Sequence, residues 1–250
     1  MMKRTYEQSP PSFTILNIPT DLLLCIHDFL YMKESVVFAC IIGNIQVIEF
    51  ILSTKYTHFV LKNLLCQYAA TSGNLKILVW ARTQGYPWDA WTCAAAAQGG
   101  YFTMLQWAYA QNCPWNTDTC TAAARGGYLD MLQWARQRDC PWDYVTCSVA
   151  ARNGHLHVLQ WAHENGCEWY KDTCSAAARG GHLHILQWLH EQGCEWDAST
   201  CCGAAYHGHL DVLIWARENG CPWDRRTTYM AAQNGHDTVL RWAIQNGCPT

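Results

Sequence analysis

Gly73, Gly100, Gly127, Gly154, Gly181, Gly208 and Gly235 stand 27 residues apart, with no insertion or deletion between them. Trp80, Trp107, Trp134, Trp161, Trp188, Trp215 and Trp242 keep the same interval. A second tryptophan ladder runs through Trp88, Trp115, Trp142, Trp169, Trp196 and Trp223, which leaves Trp91 as the one tryptophan of 14 outside both. Two cysteine ladders share the period: Cys66, Cys93, Cys120, Cys147, Cys174 and Cys201, then Cys113, Cys140, Cys167, Cys194, Cys221 and Cys248. Such a period marks a chain built from stacked supersecondary units. Units this small cannot bury their own apolar faces, so neighbours must stack into one continuous core.

Every unit between residues 63 and 250 parses alike. In residues 143–166, Asp143 is a candidate N-cap, as are Asp89, Asn116, Asp197 and Asp224 elsewhere. The Ala-rich stretch YVTCSVAAR predicts a first short helix, broken at Asn153-Gly154. HLHVLQWAHEN predicts a second, with Leu156, Val158, Leu159, Trp161 and Ala162 on its buried stripe. Gly166 ends it, and Gly85, Asn112, Asp139, Gly193, Gly220 and Gly247 hold that place in other units; these residue types suit a left-handed C-cap. No stretch alternates as a strand does. In the last unit Asp237 replaces an apolar residue and Thr228 replaces the ladder cysteine, which suits a polar outer face on a terminal repeat.

Composition narrows the function classes. Only 15% of the 250 residues are charged and the net charge is −3, so no bulk attraction to nucleic acid or an acidic membrane is expected. The 15 cysteines cannot all pair within one chain. The opening stretch does not read as a signal peptide, because Pro19 and Asp21 break its apolar run. No segment approaches a membrane span. A cytoplasmic protein with free thiols is expected.

The helix-pair text resembles the ankyrin repeat. Ala150-Ala151-Arg152-Asn153-Gly154-His155-Leu156-His157-Val158-Leu159, then Trp161-Ala162 and Gly166-Cys167, follow the family pattern position for position. The text recurs seven times over residues 63–250, and Ala39 to Leu52 looks like a degenerate eighth copy. The resemblance implies an all-α, helix-pair solenoid of seven to eight short repeats that acts as a protein–protein interaction scaffold. The period departs from the family's 33 residues. The missing residues fall where ankyrins carry a projecting hairpin, and the second tryptophan ladder is expected to cap that edge as buried rings. Compact Trp- and Cys-rich units of this kind look like those of large DNA viruses of amoebae, which would place the chain in the host cytoplasm.

Residues Ile18 to Leu30 resemble the opening helix of an F-box, with Pro19, Asp21, Leu22, Leu23, Ile26, Phe29 and Leu30 on the family pattern. That resemblance implies that Pro19, Leu22, Leu23, Ile26, Phe29 and Leu30 dock a Skp-type adaptor of a cullin-based ubiquitin ligase. The other reading is an amphipathic helix that caps the first repeat. The chain is thus divided into residues 1–34 (tail and F-box-like helix), 35–62 (degenerate repeat and linker) and 63–250 (seven repeats).

No catalytic, cofactor or metal site is expected. The chain has no Gly-rich phosphate loop, no nucleophile elbow and no zinc-binding helix motif. Cysteines repeated once per unit lie too far from their equivalents for a disulfide, and they read as buried core thiols. A thiol-rich metal-binding or redox-buffering protein is the alternative. His155, His182, His209 and His236 share their slot with Tyr101 and Tyr128, which suggests packing or hydrogen bonding at the turn. Arg125, Arg152 and Arg179 form a column that reads either as helix-dipole partners or as one rim of a binding surface. A protein partner of unknown identity is expected on positions that vary between units. Trp91, Tyr144, Arg225, Arg226 and Tyr229 are the candidate contacts, being of the types enriched at binding hot spots.

Overall fold

The computed structural model describes residues 32–53 and 59–250. Among them the regular structure is sixteen short helices and no strand. They come as eight pairs: α1 Met32–Ile42 with α2 Ile45–Ser53, α3 Phe59–Thr71 with α4 Leu75–Thr83, α5 Ala90–Gln98 with α6 Phe102–Ala110, and α7 Thr117–Gly126 with α8 Leu129–Arg136. Then follow α9 Tyr144–Arg152 with α10 Leu156–Glu164, α11 Lys171–Gly180 with α12 Leu183–Glu191, α13 Ala198–His207 with α14 Leu210–Glu218, and α15 Arg225–Gln233 with α16 Asp237–Gln245. The fold is a helix-pair solenoid. It divides into two compact units, one up to Pro87 and one from Trp88 to Thr250. Helices α1 and α3 begin inside the segments that the sequence reading assigned to tail and linker. No described helix is long and apolar enough to cross a membrane.

Local chemistry sets the helix ends. Asp89, Asn116, Asp143, Asp197 and Asp224 each accept a hydrogen bond from the backbone N–H two residues on, which satisfies one of the orphan donors of the first turn. Tyr170 holds that slot before α11 without a side-chain cap. Between paired helices the chain reverses through a left-handed residue. Gly127 (φ +75°) shows why it is glycine: an added Cβ would also lie 2.6 Å from the imidazole of His155, in the next unit. At the second-helix ends Asn112 (φ 61°) and Asp139 (φ 58°) adopt the left-handed conformation that their position predicted.

Packing differs on the two sides of the array. In the unit from Trp88 onward, each first helix lies along its neighbouring first helix, whereas second helices mainly contact their own partner. The buried residues of α9 are Thr146, Cys147, Ala150 and Ala151, all small. Those of α10 are Val158, Leu159 and Ala162, flanked by half-buried Leu156 and Trp161. Small side chains let backbones approach, and bulky ones hold them apart. Within the unit from Trp88 onward the first helices are therefore the closer-spaced layer, which makes theirs the inner, concave side.

The ladder tryptophans form the outer edge and are half-buried, not buried as the sequence suggested. Each linker ring stands edge-on to the ring of the second helix that follows, as in Trp142 with Trp161 (5.8 Å) and Trp169 with Trp188 (5.4 Å). A planar group from the preceding helix covers its face. Tyr109 lies on Trp115, Arg136 on Trp142, His163 on Trp169, His190 on Trp196 and Arg217 on Trp223, with centre separations between 3.5 and 4.4 Å. Aromatic stacking and cation–π attraction are interchangeable there, so the slot accepts Tyr, Arg or His.

Candidate functional site

The two cysteine ladders meet inside the middle units. The Cys147 thiol donates to the Cys167 carbonyl at 3.8 Å, and the Cys167 thiol donates to the Asp143 carbonyl at 3.2 Å. Cys120 with Cys140, and Cys174 with Cys194, repeat this arrangement. The thiols thereby satisfy carbonyls of the short linker that a longer hairpin would otherwise pair. In the last unit Thr228 takes the first ladder position, and its hydroxyl donates one residue further along, to the Pro249 carbonyl at 2.6 Å. Thr228 is buried, so it replaces a cysteine function and is not the polar outer face that the sequence suggested. Comparing equivalent cysteines between units does not reveal these partners, which are 20 residues apart within one unit.

This environment shifts the two thiols of a pair in opposite directions. The hydrogen bond within each pair, and then burial, push the Cys147 and Cys174 thiols up, while the same bond pulls their partners Cys167 and Cys194 down. Burial, with Cys66 nearby, pushes Cys40 up to about 12. Cys40, Cys147 and Cys174 are thereby held neutral, which makes them poor nucleophiles and poor ligands. Cys202, off both ladders, is half-buried. Among the described residues no three His, Cys, Asp or Glu side chains gather as a metal site.

The histidines after the turn glycines close the helix ends. Nε2 of His155, His182 and His209 lies 3.0–3.2 Å from the carbonyls of Arg125, Arg152 and Arg179, one unit back. His236 reaches the Tyr206 carbonyl in the same way. A carbonyl only accepts, so each Nε2 carries the proton. Burial, followed by the field of neighbouring imidazoles, holds His182 below the usual histidine range despite this hydrogen bond.

The first helices carry two rows of exposed side chains, one near each helix end, with a shallow trough of small residues between them. Its floor is small and largely buried: Thr121 and Ala122, Ser148 and Val149, Ser175 and Ala176, Cys202 and Gly203. Arg125, Arg152 and Arg179 are exposed along the wall at the helix C-termini. The opposite wall carries Trp91 (55% exposed), Asp118, Tyr144 and Asp172. Tyr144 packs edge-on against Tyr170 at 5.5 Å, beside a cleft of about 720 Å³ lined also by Trp169 and Lys171.

The candidate contacts do not form one cluster. Trp91 and Tyr144 stand on the N-terminal wall two units apart, while Arg225, Arg226 and Tyr229 line a separate cavity of about 660 Å³ with Leu240 and Ile244. Arg226 pairs with Asp224 at 2.8 Å. Two exposed aromatics were missed, and both break a ladder. Tyr170 stands where other units have Asp or Asn, and Tyr206 continues the arginine column. Pro19, Leu22, Leu23, Ile26, Phe29 and Leu30 lie outside the described residues. A scan of protein-family models and a search of curated proteins both return no match.

Proposed function

We propose that this protein is a non-catalytic interaction scaffold that holds a protein partner along the concave face of its first helices. One observation carries the reading. The residues that recur every 27 positions are spent on helix ends, core and edge, whereas the exposed first-helix positions change from unit to unit and include aromatic and cationic side chains. Fold and recognition are thus separated within each unit, as a repeat scaffold needs. The ankyrin-like helix-pair text supports the same reading. A role for the thiols in metal binding or redox buffering is less favoured, because the paired thiols already donate to linker carbonyls.

The finer version is a substrate-recruiting subunit of a cullin-type ubiquitin ligase, with the F-box-like helix at residues 18–30 docking a Skp-type adaptor. Affinity capture from cells tests both levels. Replacing Trp91, Tyr144, Arg225, Arg226 and Tyr229 with Ala is expected to abolish partner capture and leave the circular dichroism spectrum unchanged. Deleting residues 1–34 is expected to lose the adaptor and keep the partner. Unchanged partner capture by the five-site variant contradicts the placement of the binding surface, and an adaptor retained without residues 1–34 contradicts the docking helix.

A further inference from the structure

Three arginines hold one position in three consecutive units, and nothing in the fold uses their side chains. Arg125, Arg152 and Arg179 are exposed, and their guanidinium groups make no hydrogen bond or ion pair among the described residues. Elsewhere, exposed cations do find carboxylates: Lys171 pairs with Asp197, and Arg226 with Asp224. The helix-end carbonyls that an arginine column would serve are already taken by the Nε2–H groups of His155, His182 and His209. Gly203 leaves room for the Arg179 stem, since a Cβ there would lie 2.8 Å from Arg179 Cγ. The nearby carboxylates at this end of the units, Asp130 and Asp211, are exposed and form no ion pair. Gln98 and Tyr206 flank the three arginines in the column. The result is a row of three positive charges, none of them paired with a carboxylate among the described residues.

The row faces a small-residue floor, with the Tyr144–Tyr170 pair across it. Tyr144 and Arg152 are the two ends of α9, eight residues apart, so the groove is about 12 Å wide. Neighbouring helices repeat at about 8–10 Å. A polyproline II segment advances about 9.3 Å per three-residue turn, with residues i, i+3 and i+6 on one face. A β-strand shows one face only every two residues, about 6.7 Å, which misses that spacing. An α-helix reaches it only at every seventh residue, with a girth of about 10–12 Å that fills the groove wall to wall. Polyproline II ligands also dock into aromatic-lined grooves. Asp118 and Asp172 on the tyrosine wall oppose a phosphate backbone, so a peptide fits better than nucleic acid.

Resting on the scaffold reading above, we infer that this groove binds a proline-rich segment of a protein partner in polyproline II form. An acidic side chain at every third position would meet Arg125, Arg152 and Arg179 in turn, and proline rings would lie against Tyr144 and Tyr170.

Fluorescence polarisation on the full chain, with a labelled (Pro-Pro-Glu)5 peptide, tests this. The expected result is saturable binding that weakens at least tenfold when the three arginines are changed to Gln. It weakens similarly when Tyr144 and Tyr170 are changed to Ala, and it is unaffected by Arg138→Gln, whose guanidinium covers Trp134 outside the groove. Circular dichroism checks that each variant is folded. The inference is overturned if (Pro-Pro-Gln)5, an equally charged Pro-Glu alternating peptide, a helical peptide with Glu at every seventh position or a single-stranded oligonucleotide binds as well as (Pro-Pro-Glu)5. It is also overturned if none binds. If no peptide binds while the five-site variant still loses its cellular partner, the scaffold reading stands and only the ligand class falls. If that capture is unchanged too, both fall.

Discussion

The concave first-helix face and the outer tryptophan edge are built on the same repeat and obey opposite rules. Along the edge, chemistry is held and identity varies only within it: Tyr109, Arg136, His163, His190 and Arg217 are all planar groups laid on an indole. On the face, chemistry itself changes, from Trp91 to Asp118, Val145, Asp172, Ser199 and Arg226 at one slot. A slot whose neighbours recur is under a packing constraint, whereas a slot facing solvent is released from it. The difference separates what holds the solenoid together from what is free to recognise a partner.

Substitutions that cross this divide should show it. The largest effect is expected inside the shared core. Leu159→Ala, at a fully buried site, should lower stability by about 2–5 kcal/mol in urea unfolding. Arg152→Ala on the face should stay within about 0.5 kcal/mol of the parent. A similar loss in both would erase the distinction. At the edge, Trp169→Ala removes a half-buried ring with two ring partners, so about 2–3 kcal/mol is expected. A loss below about 0.5 kcal/mol would make that edge ornamental.

The linker gives a finer test. Cys147→Val keeps shape and removes the donor to the Cys167 carbonyl, so it should destabilise by about 1–3 kcal/mol. Cys147→Thr should recover part of that, because the Thr228 hydroxyl at this ladder position already donates to a linker carbonyl. Equal losses in the two variants would remove the hydrogen bond from the account.

The smallest expected effect is on pH dependence. Burial depresses the His182 and His207 pKa values in the folded state. The unfolded chain then binds protons first, so this contribution is complete above about pH 6.5 and is lost as pH falls below it. The melting temperature should drop between pH 7.5 and 5. His182→Tyr, which copies Tyr101 and Tyr128, should flatten that drop. A rise in melting temperature on acidification would reverse the sign.

Much of the fold was legible in the sequence because one period governs it. The Asx caps, the left-handed Asn112 and Asp139 and the helix pairs all follow from residue types at fixed offsets. The thiol pairing was not legible in that way. Cys147 and Cys167 meet because the helix pair folds back on itself, a closure that comparing the same position between units does not reveal. The exposed tyrosines were legible and overlooked. Tyr170 and Tyr206 each interrupt a column, but attention to the regular positions hid them. The binding surface depends on which face is concave, and that follows from small residues packing against bulky ones in three dimensions.

Hydrogen–deuterium exchange of the full chain, with and without its captured partner, tests the division most directly. Added protection is expected in peptides covering residues 117–126, 144–152 and 171–180, with the tryptophan edge at 134–142 and 161–169 unchanged. Protection confined to the edge, with the first helices unaffected, would contradict the account.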